Sequence, residues 1–363
     1  MTRQPRLCQD LSAGNESQDI LNEMGNPMLK CSCLTGTLIV TALFGAVNAR
    51  ADLALTPAGI ADGFILTTFA SGLPNIITEG PFGVTLASNG NVIAFDYASS
   101  TRYVFPDIDG QTPATALFAP VVSNSAAEGY ANASGKPYGG DGFHFVQFND
   151  DGTVNHILTG VSAGPDLGMW TNPVNQHLIS ASTVGLIDID PLAGAGAGSF
   201  RVIHAGIFPD GVSVSPDGTT VYAAFFGTHV VIAYDIATGA LITTYTGLPS
   251  PDGTGVISSS NMLNGDIIIN NNNGEIDLLD PITHAFVPIA TGGSRGDFTS
   301  PDTSNGSLFL DYTDSIARLS CGPQCSIGSP VPGPQPAAVP EPSSIFLLGT
   351  AFIVWAIRHK IHA

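Results

Sequence analysis

Short strands and tight turns recur along this chain at a regular spacing, and that spacing limits the fold more than any other feature. The clearest unit runs from Phe208 to Tyr245. Phe208-Pro209-Asp210-Gly211 leads into Val212 to Ser215; Thr220 to Phe225, Val230 to Asp235 and Ala240 to Tyr245 follow. Pro216-Asp217-Gly218, Gly227-Thr228-His229 and Ala237-Thr238-Gly239 are the turns between them. Other units align on the acidic residue before the first strand. Those residues are Glu79, Glu128, Asp166, Asp210, Asp252 and Asp297, at intervals of about 43 residues. No stretch between Pro57 and Ser320 has the period of a long amphipathic helix, so the chain reads as all-β.

The unit at Phe208 to Tyr245 resembles a blade of the YVTN or NHL type of β-propeller. That resemblance implies four-stranded blades, and six anchors imply a six-bladed β-propeller over residues 52–325. A seven-bladed ring and an open β-sandwich are the alternatives. The sixth unit, after Asp297, lacks a fourth strand, whereas Gly63 to Ala70 precedes the first anchor and has no unit of its own. It is expected to supply the missing outer strand and close the ring, which removes an open sheet edge.

In a propeller the first strand of each blade lines the axis, so the six anchors are expected at one mouth of the channel. Six converging carboxylates repel unless a cation sits among them, and hard oxygen ligands in a roomy ring suit Ca2+. Glu79-Gly80-Pro81 and Pro209-Asp210-Gly211 resemble metal-ligand segments of the gluconolactonase and senescence-marker propellers. Those families also use Asn ligands; Asn172 and Asn261 are the nearest candidates, outside the expected Pro-Asn-Gly context. The competing reading is that Asp-Gly pairs are turn residues, as at Asp217-Gly218. His229 is the one histidine expected on the face of the acids, and the Asn270 to Asn273 run offers amides for sugar hydroxyls or a turn.

Charge narrows the partners. The chain carries 30 Asp and Glu against 11 Lys and Arg, a formal net charge of −19, which disfavours nucleic acid. Both ends address the chain to a membrane. Residues 1–27 are polar and read as a mis-assigned start or an unusually long n-region, and 28–51 as a signal peptide. Lys30 precedes the apolar run Leu34 to Val47, and Ala49-Arg50-Ala51 forms the cleavage site. Residues 326–338 are a Pro/Gly-rich linker. Residues 339–363 hold Pro340-Glu341-Pro342, the apolar run Ile345 to Ile357 and the basic stop Arg358-His359-Lys360. This tail resembles the PEP-CTERM sorting signal of Gram-negative bacteria. The resemblance implies a transmembrane segment before processing, an exosortase-type partner and a final place in the cell envelope or outside it. Cys321 and Cys325, separated by a Gly-Pro turn, read as a local disulfide in an exported chain.

Two functions fit this reading. The first is a non-catalytic binding or scaffold module, with extracellular polysaccharide as the partner. The alternative is a divalent-metal-dependent lactonase or lyase-like enzyme on the same fold. Sorting is testable from the sequence directly. Replacing Pro340-Glu341-Pro342 with alanines is expected to leave export intact and the tail uncleaved in the inner membrane, read by fractionation and intact mass. Normal release of the tail would refute the signal.

Overall fold

A computed structural model describes residues 52–76, 79–123 and 129–329. The signal peptide, most of the linker, the sorting tail and Glu128 lie outside them. Among the described residues no helix is long and apolar enough to cross a membrane.

The chain enters through β1 (Ala54–Leu55), α1 (Pro57–Ala61) and β2 (Ile65–Ser71). Thr56 caps α1 by accepting the Gly59 amide, and Pro57 pre-sets the first helical turn. Blade one is β3 (Pro81–Leu86), β4 (Val92–Asp96) and β5 (Thr101–Phe105). Isolated bridges from Val121 to Thr101 and from Phe118 to Val104 stand in for its fourth strand. Blade two is β6 (Ala131–Ala133), β7 (Lys136–Gly140), β8 (Phe145–Phe148) and β9 (Val154–Ile157). Blade three is β10 (Pro165–Thr171), β11 (Leu178–Ser182), β12 (Gly185–Asp190) and, after the short α2 (Ala193–Gly196), β13 (Ser199–Ala205). Blade four is β14 (Val212–Val214), β15 (Thr220–Phe225), β16 (Val230–Asp235) and β17 (Leu241–Thr246). Blade five is β18 (Pro251–Ser259), β19 (Ile267–Asn271), β20 (Ile276–Leu279) and β21 (Phe286–Thr291). Blade six is β22 (Gly296–Asp302), β23 (Ser307–Tyr312) and β24 (Ser315–Ser320), and β2 is its outer strand.

Every blade is an antiparallel meander, and the first strands of successive blades are neighbours in a closed circle from β3 through β6, β10, β14, β18 and β22 back to β3. The expected six-bladed propeller is therefore the fold. Inner strands are buried along their whole length, as in β4 and β11, whereas the outer β13 and β17 are exposed or half-buried but for one buried residue each. That difference explains the composition. Inner strands, covered on both faces, read as continuous apolar runs, and outer strands carry polar residues toward water.

Ring closure follows the expected route. β2 pairs antiparallel with β24 from Ile65 opposite Ser320 to Ser71 opposite Ser315, with an irregularity between Thr68 and Ala70. Phe69 packs edge-on against Phe105 and Phe309, and the Arg318 guanidinium lies 4.9 Å from the Phe69 ring and 5.0 Å from the Phe309 ring. Arg318 also pairs with Asp107, with Asp109 at 3.0 Å and with buried Asp302 at 3.4 Å, so blade six grips the loop that leaves blade one. Cys321 and Cys325 are joined, with Cα atoms 5.5 Å apart. The bridge turns the chain from β24 into β25 (Cys325–Ile327), which pairs with the end of β18. Ordered chain thus continues to Ile327, into the stretch assigned to the linker, because Ser326 and Ile327 are buried against blade five.

The glycines after the anchors settle what the Asp-Gly pairs do. Gly211 and Gly253 do not adopt positive φ, whereas Gly218, in the Asp217-Gly218 turn, has φ +73°. A Cβ on Gly211 would collide with the Asp252 carbonyl of the next blade, and one on Gly253 with the Asp297 carbonyl. Gly129 and Gly168 meet the next blade in the same way. These glycines allow close approach of inner strands, while Gly218 serves a turn. Gly211→Ala is therefore expected to destabilise the domain by about 3 kcal/mol or more, by overpacking against backbone. Gly90→Ala, at φ +85° with open space around it, should cost only about 1 kcal/mol. Urea unfolding of both variants checks the ranking; equal losses would overturn it.

Candidate functional site

Strands alternate in direction within each blade. The segment before each first strand therefore shares one end of the ring with the connection between the second and third strands. Glu79, Asp166, Asp210, Asp252 and Asp297 lie at that end, as does the Asn272 loop between β19 and β20. Asn172 and Asn261 lie in connections between first and second strands, hence at the opposite end. There the Asn172 amide donates to the Gly218 carbonyl, and Asn261 caps its own loop by accepting the Leu263 amide. They are not partners of the acids.

One basic residue organises the mouth. Arg295 Nη1 lies 2.8 Å from Glu79 and 3.0 Å from Asp297, and Nη2 lies 3.9 Å from Asp252. Its Nε donates to Asn272 Oδ1 at 2.5 Å, and the Asn272 amide donates to Asp252 Oδ2 at 2.6 Å. Its guanidinium carbon sits 6.0 Å from the centre of the Phe82 ring. Three of the six anchors, from blades one, five and six, thus converge on one cation supplied by the chain itself. Asp210 stands beside them, accepting the Phe226 amide at 3.0 Å, and Asp166 is close enough to Asp210 to feel its charge. Glu128 lies outside the described residues.

Burial, with neighbouring acids at Asp252, Asp297 and Asp166, pushes Asp252, Asp297, Asp210 and Asp166 toward their protonated forms. Asp252 rises from 3.8 to about 7, through burial first and the neighbouring Asp210 second; Asn272 and Arg295 oppose the rise. Asp297 is raised well above its ordinary value by burial, then by Asp252, against the pull of Arg295. Asp210 and Asp166 are raised mainly by burial. Behind Asp297, buried Asp311 is also raised by burial, and its Oδ1 has no hydrogen-bond partner. For Arg295 burial alone would lower the pKa, but Asp297, Glu79 and Asp252 raise it, so the guanidinium stays charged.

The fit to Ca2+ can be judged from this geometry. A hard dication needs six to eight oxygen ligands around one point. Here Arg295 occupies the point on which Glu79, Asp252 and Asp297 converge. Among the described residues no three His, Cys, Asp or Glu side chains are gathered so as to hold a metal ion. The donor set as placed suits a guanidinium and does not fit Ca2+.

Arg295 and Asp311 are the residues that sequence reasoning missed. A signal for Arg295 existed. Basic residues are rare in the body of the chain, and this one stands two positions before an anchor. The Asn run carries more than turn geometry. Asn270 donates to the Asp297 and Asp311 carbonyls, Asn271 to Asp277, and Asn272 joins the Arg295 network. His229 adopts φ 58° and its Nδ1 lies 2.7 Å from the Pro249 carbonyl, so its ring is tied to backbone.

Comparison with known proteins agrees with both halves of this picture. Residues 338–360 match the PEP-CTERM protein-sorting motif, so the chain is an exported protein carrying an exosortase-type sorting signal. No curated protein sequence matches the chain. Among solved structures, a gluconolactonase from Xanthomonas campestris is similar with TM-score 0.54 at 15% identity, over 74% of this chain and 96% of that one. A second gluconolactonase-like structure gives 0.53 at 13% identity, over 74% and 97%. An auxiliary nutrient binding protein from Bacteroides ovatus gives 0.51 at 10% identity, over 71% and 76%. At these identities the likeness is one of fold.

The raised Asp252 has a consequence for stability. Below about pH 4 the carboxyl is protonated in both folded and unfolded chains. Between about pH 4 and the folded value of about 7 only the folded chain holds the proton. The unfolded chain binds fewer protons there, so stability falls as pH rises through this window. The urea midpoint of the wild type is expected to drop from pH 4 to pH 7, and Asp252→Asn to flatten that drop. An unchanged slope in the variant would remove Asp252 as its source.

Proposed function

We propose that this exported propeller is a non-catalytic binding module that holds extracellular polysaccharide at the Arg295 end of the ring. The observation that carries this reading is the closure of the Arg295 network. Its Nη1, Nη2 and Nε each face a partner, and Asn272 links the guanidinium to Asp252. Such a set is arranged to hold its own shape, with half-buried Glu79 and Asn272 as the members left to meet hydroxyl groups. Exposed Phe226, whose amide bonds Asp210, and exposed Phe208, two residues before it, add apolar surface beside those polar groups. Aromatic faces beside carboxylates suit the mixed apolar and hydroxyl faces of sugars. With several acids against one guanidinium, the mouth disfavours anionic polymers, so a neutral polymer is the expected partner.

The test is retention of the producing cells' own extracellular polysaccharide by the processed protein, followed by affinity electrophoresis in gels containing that polymer. Retardation is expected for the wild type and should be lost in Phe226→Ala and reduced in Arg295→Met. Absence of retardation with neutral fractions of the polymer would reject the reading.

A second reading rests on Asp252, whose pKa of about 7 is suited to proton transfer at neutral pH. It makes the same mouth a lactonase- or lyase-like centre. Ca2+ binding belongs to this reading and requires Arg295 to leave its place. Hydrolysis of a sugar lactone that is lost in Asp252→Asn would favour it, as would a Ca2+-dependent rise in melting temperature larger in Arg295→Met than in the wild type.

A further inference from the structure

We infer that the crevice between blades five and six is a separate binding site for a single neutral sugar unit; the proposal deepens the polysaccharide reading and rests on it. The crevice has a volume of about 560 Å3, within the range of small-molecule sites. One wall is the face of blade six where β2 closes the ring, carrying Thr68 and its cross-strand partner Ala317. The loop at Gly293 and Ser294, next to Arg295 in the chain, also lines it. Ser71, Asn75, Tyr312 and Thr313 belong to the same lining.

Three features select the ligand class. The lining is dominated by hydroxyl and amide side chains, and none of the described residues that form it is Lys or Arg. The only charged groups there are the carboxylates Asp52 and Asp314, so an anion is disfavoured and a hydroxyl-rich neutral molecule is matched. Finally, Leu66, Ala317 and the Tyr312 ring supply apolar surface within the same lining, as the CH faces of a pyranose require. The Arg295 network is separate from this lining, although Ser294 Oγ accepts the Thr313 amide and ties the two regions together.

Ligand-observed saturation-transfer NMR on the processed full-length protein tests the site, with glucose, galactose and mannose as neutral probes and glucuronate as the anionic one. At least one neutral hexose should show transfer, and glucuronate should not. Thr68→Trp, an exposed position that can fill the crevice without touching the core, should weaken binding at least tenfold. Two outcomes overturn the site: no transfer from any neutral hexose to the wild type, or equal binding by wild type and Thr68→Trp. The polysaccharide reading fails separately. If polymer retention is lost in Phe226→Ala but intact in Thr68→Trp, the mouth stands and the crevice falls. If neither variant affects retention, both fall.

Discussion

Inner strands from six blades can share one axis only if their backbones pass closer together than side chains allow. Gly129, Gly168, Gly211 and Gly253 meet that constraint, each abutting the backbone of the following blade. The sixth position differs, because Phe298 is tilted against Phe82 of blade one at 5.8 Å. In blades two, four and five the acid stands immediately before the close-approach glycine, and in blade three two residues before it. The spacing that draws the strands together therefore also draws the carboxylates together. Fold and site are one requirement in this chain: weakening the close approach at Gly211 would move Asp210 away from Asp252 as well.

Gathering acids in this way has an electrostatic cost, and the chain offsets it by two means. The first is Arg295, a charged group donating along several directions, which suits carboxylates from three blades at once. The second is protonation. With Asp252 raised to about 7 and Asp297 and Asp311 also raised, first of all by burial, the mouth holds less negative charge at neutral pH than its composition suggests. A buried carboxyl kept neutral can donate as well as accept. The polar surface at the axis is thus mixed in hydrogen-bonding character although its side chains are almost all acidic.

Much of the fold was legible because its signals are local. The unit at Phe208 to Tyr245 carries its four strands and turns intact, and Gly63 to Ala70 stood out as a strand without a unit, which is the role β2 plays. The convergence of Glu79, Asp210, Asp252 and Asp297 was legible for the same reason. What stayed hidden depends on side chains meeting across blades. Arg295 reaches Glu79 from the far end of the sequence, and no spacing records that contact. Asp311 lies within an inner strand whose pattern gives no sign that one carboxyl is sealed in. The Asn172 and Asn261 candidates failed for a geometric reason. A four-stranded blade sends alternate connections to opposite ends of the ring, and both residues lie in connections of the wrong parity.

The order of elements also bears on export. β2 comes early in the chain, yet its partner β24 is the last strand of a blade, so the ring cannot close until almost the whole domain has been released. Closing so long a loop is entropically costly and slow, and until then blade six has an open edge. The Arg318 cluster and the Phe69 contacts reward closure only at that final step, because they join β2 and blade six to the loop leaving blade one. β25 then pins the chain to blade five just before the segment that leads to the sorting motif at 338–360. The same topology places the β2–β24 seam, and with it the crevice beside Thr68 and Tyr312, among the last surfaces to form.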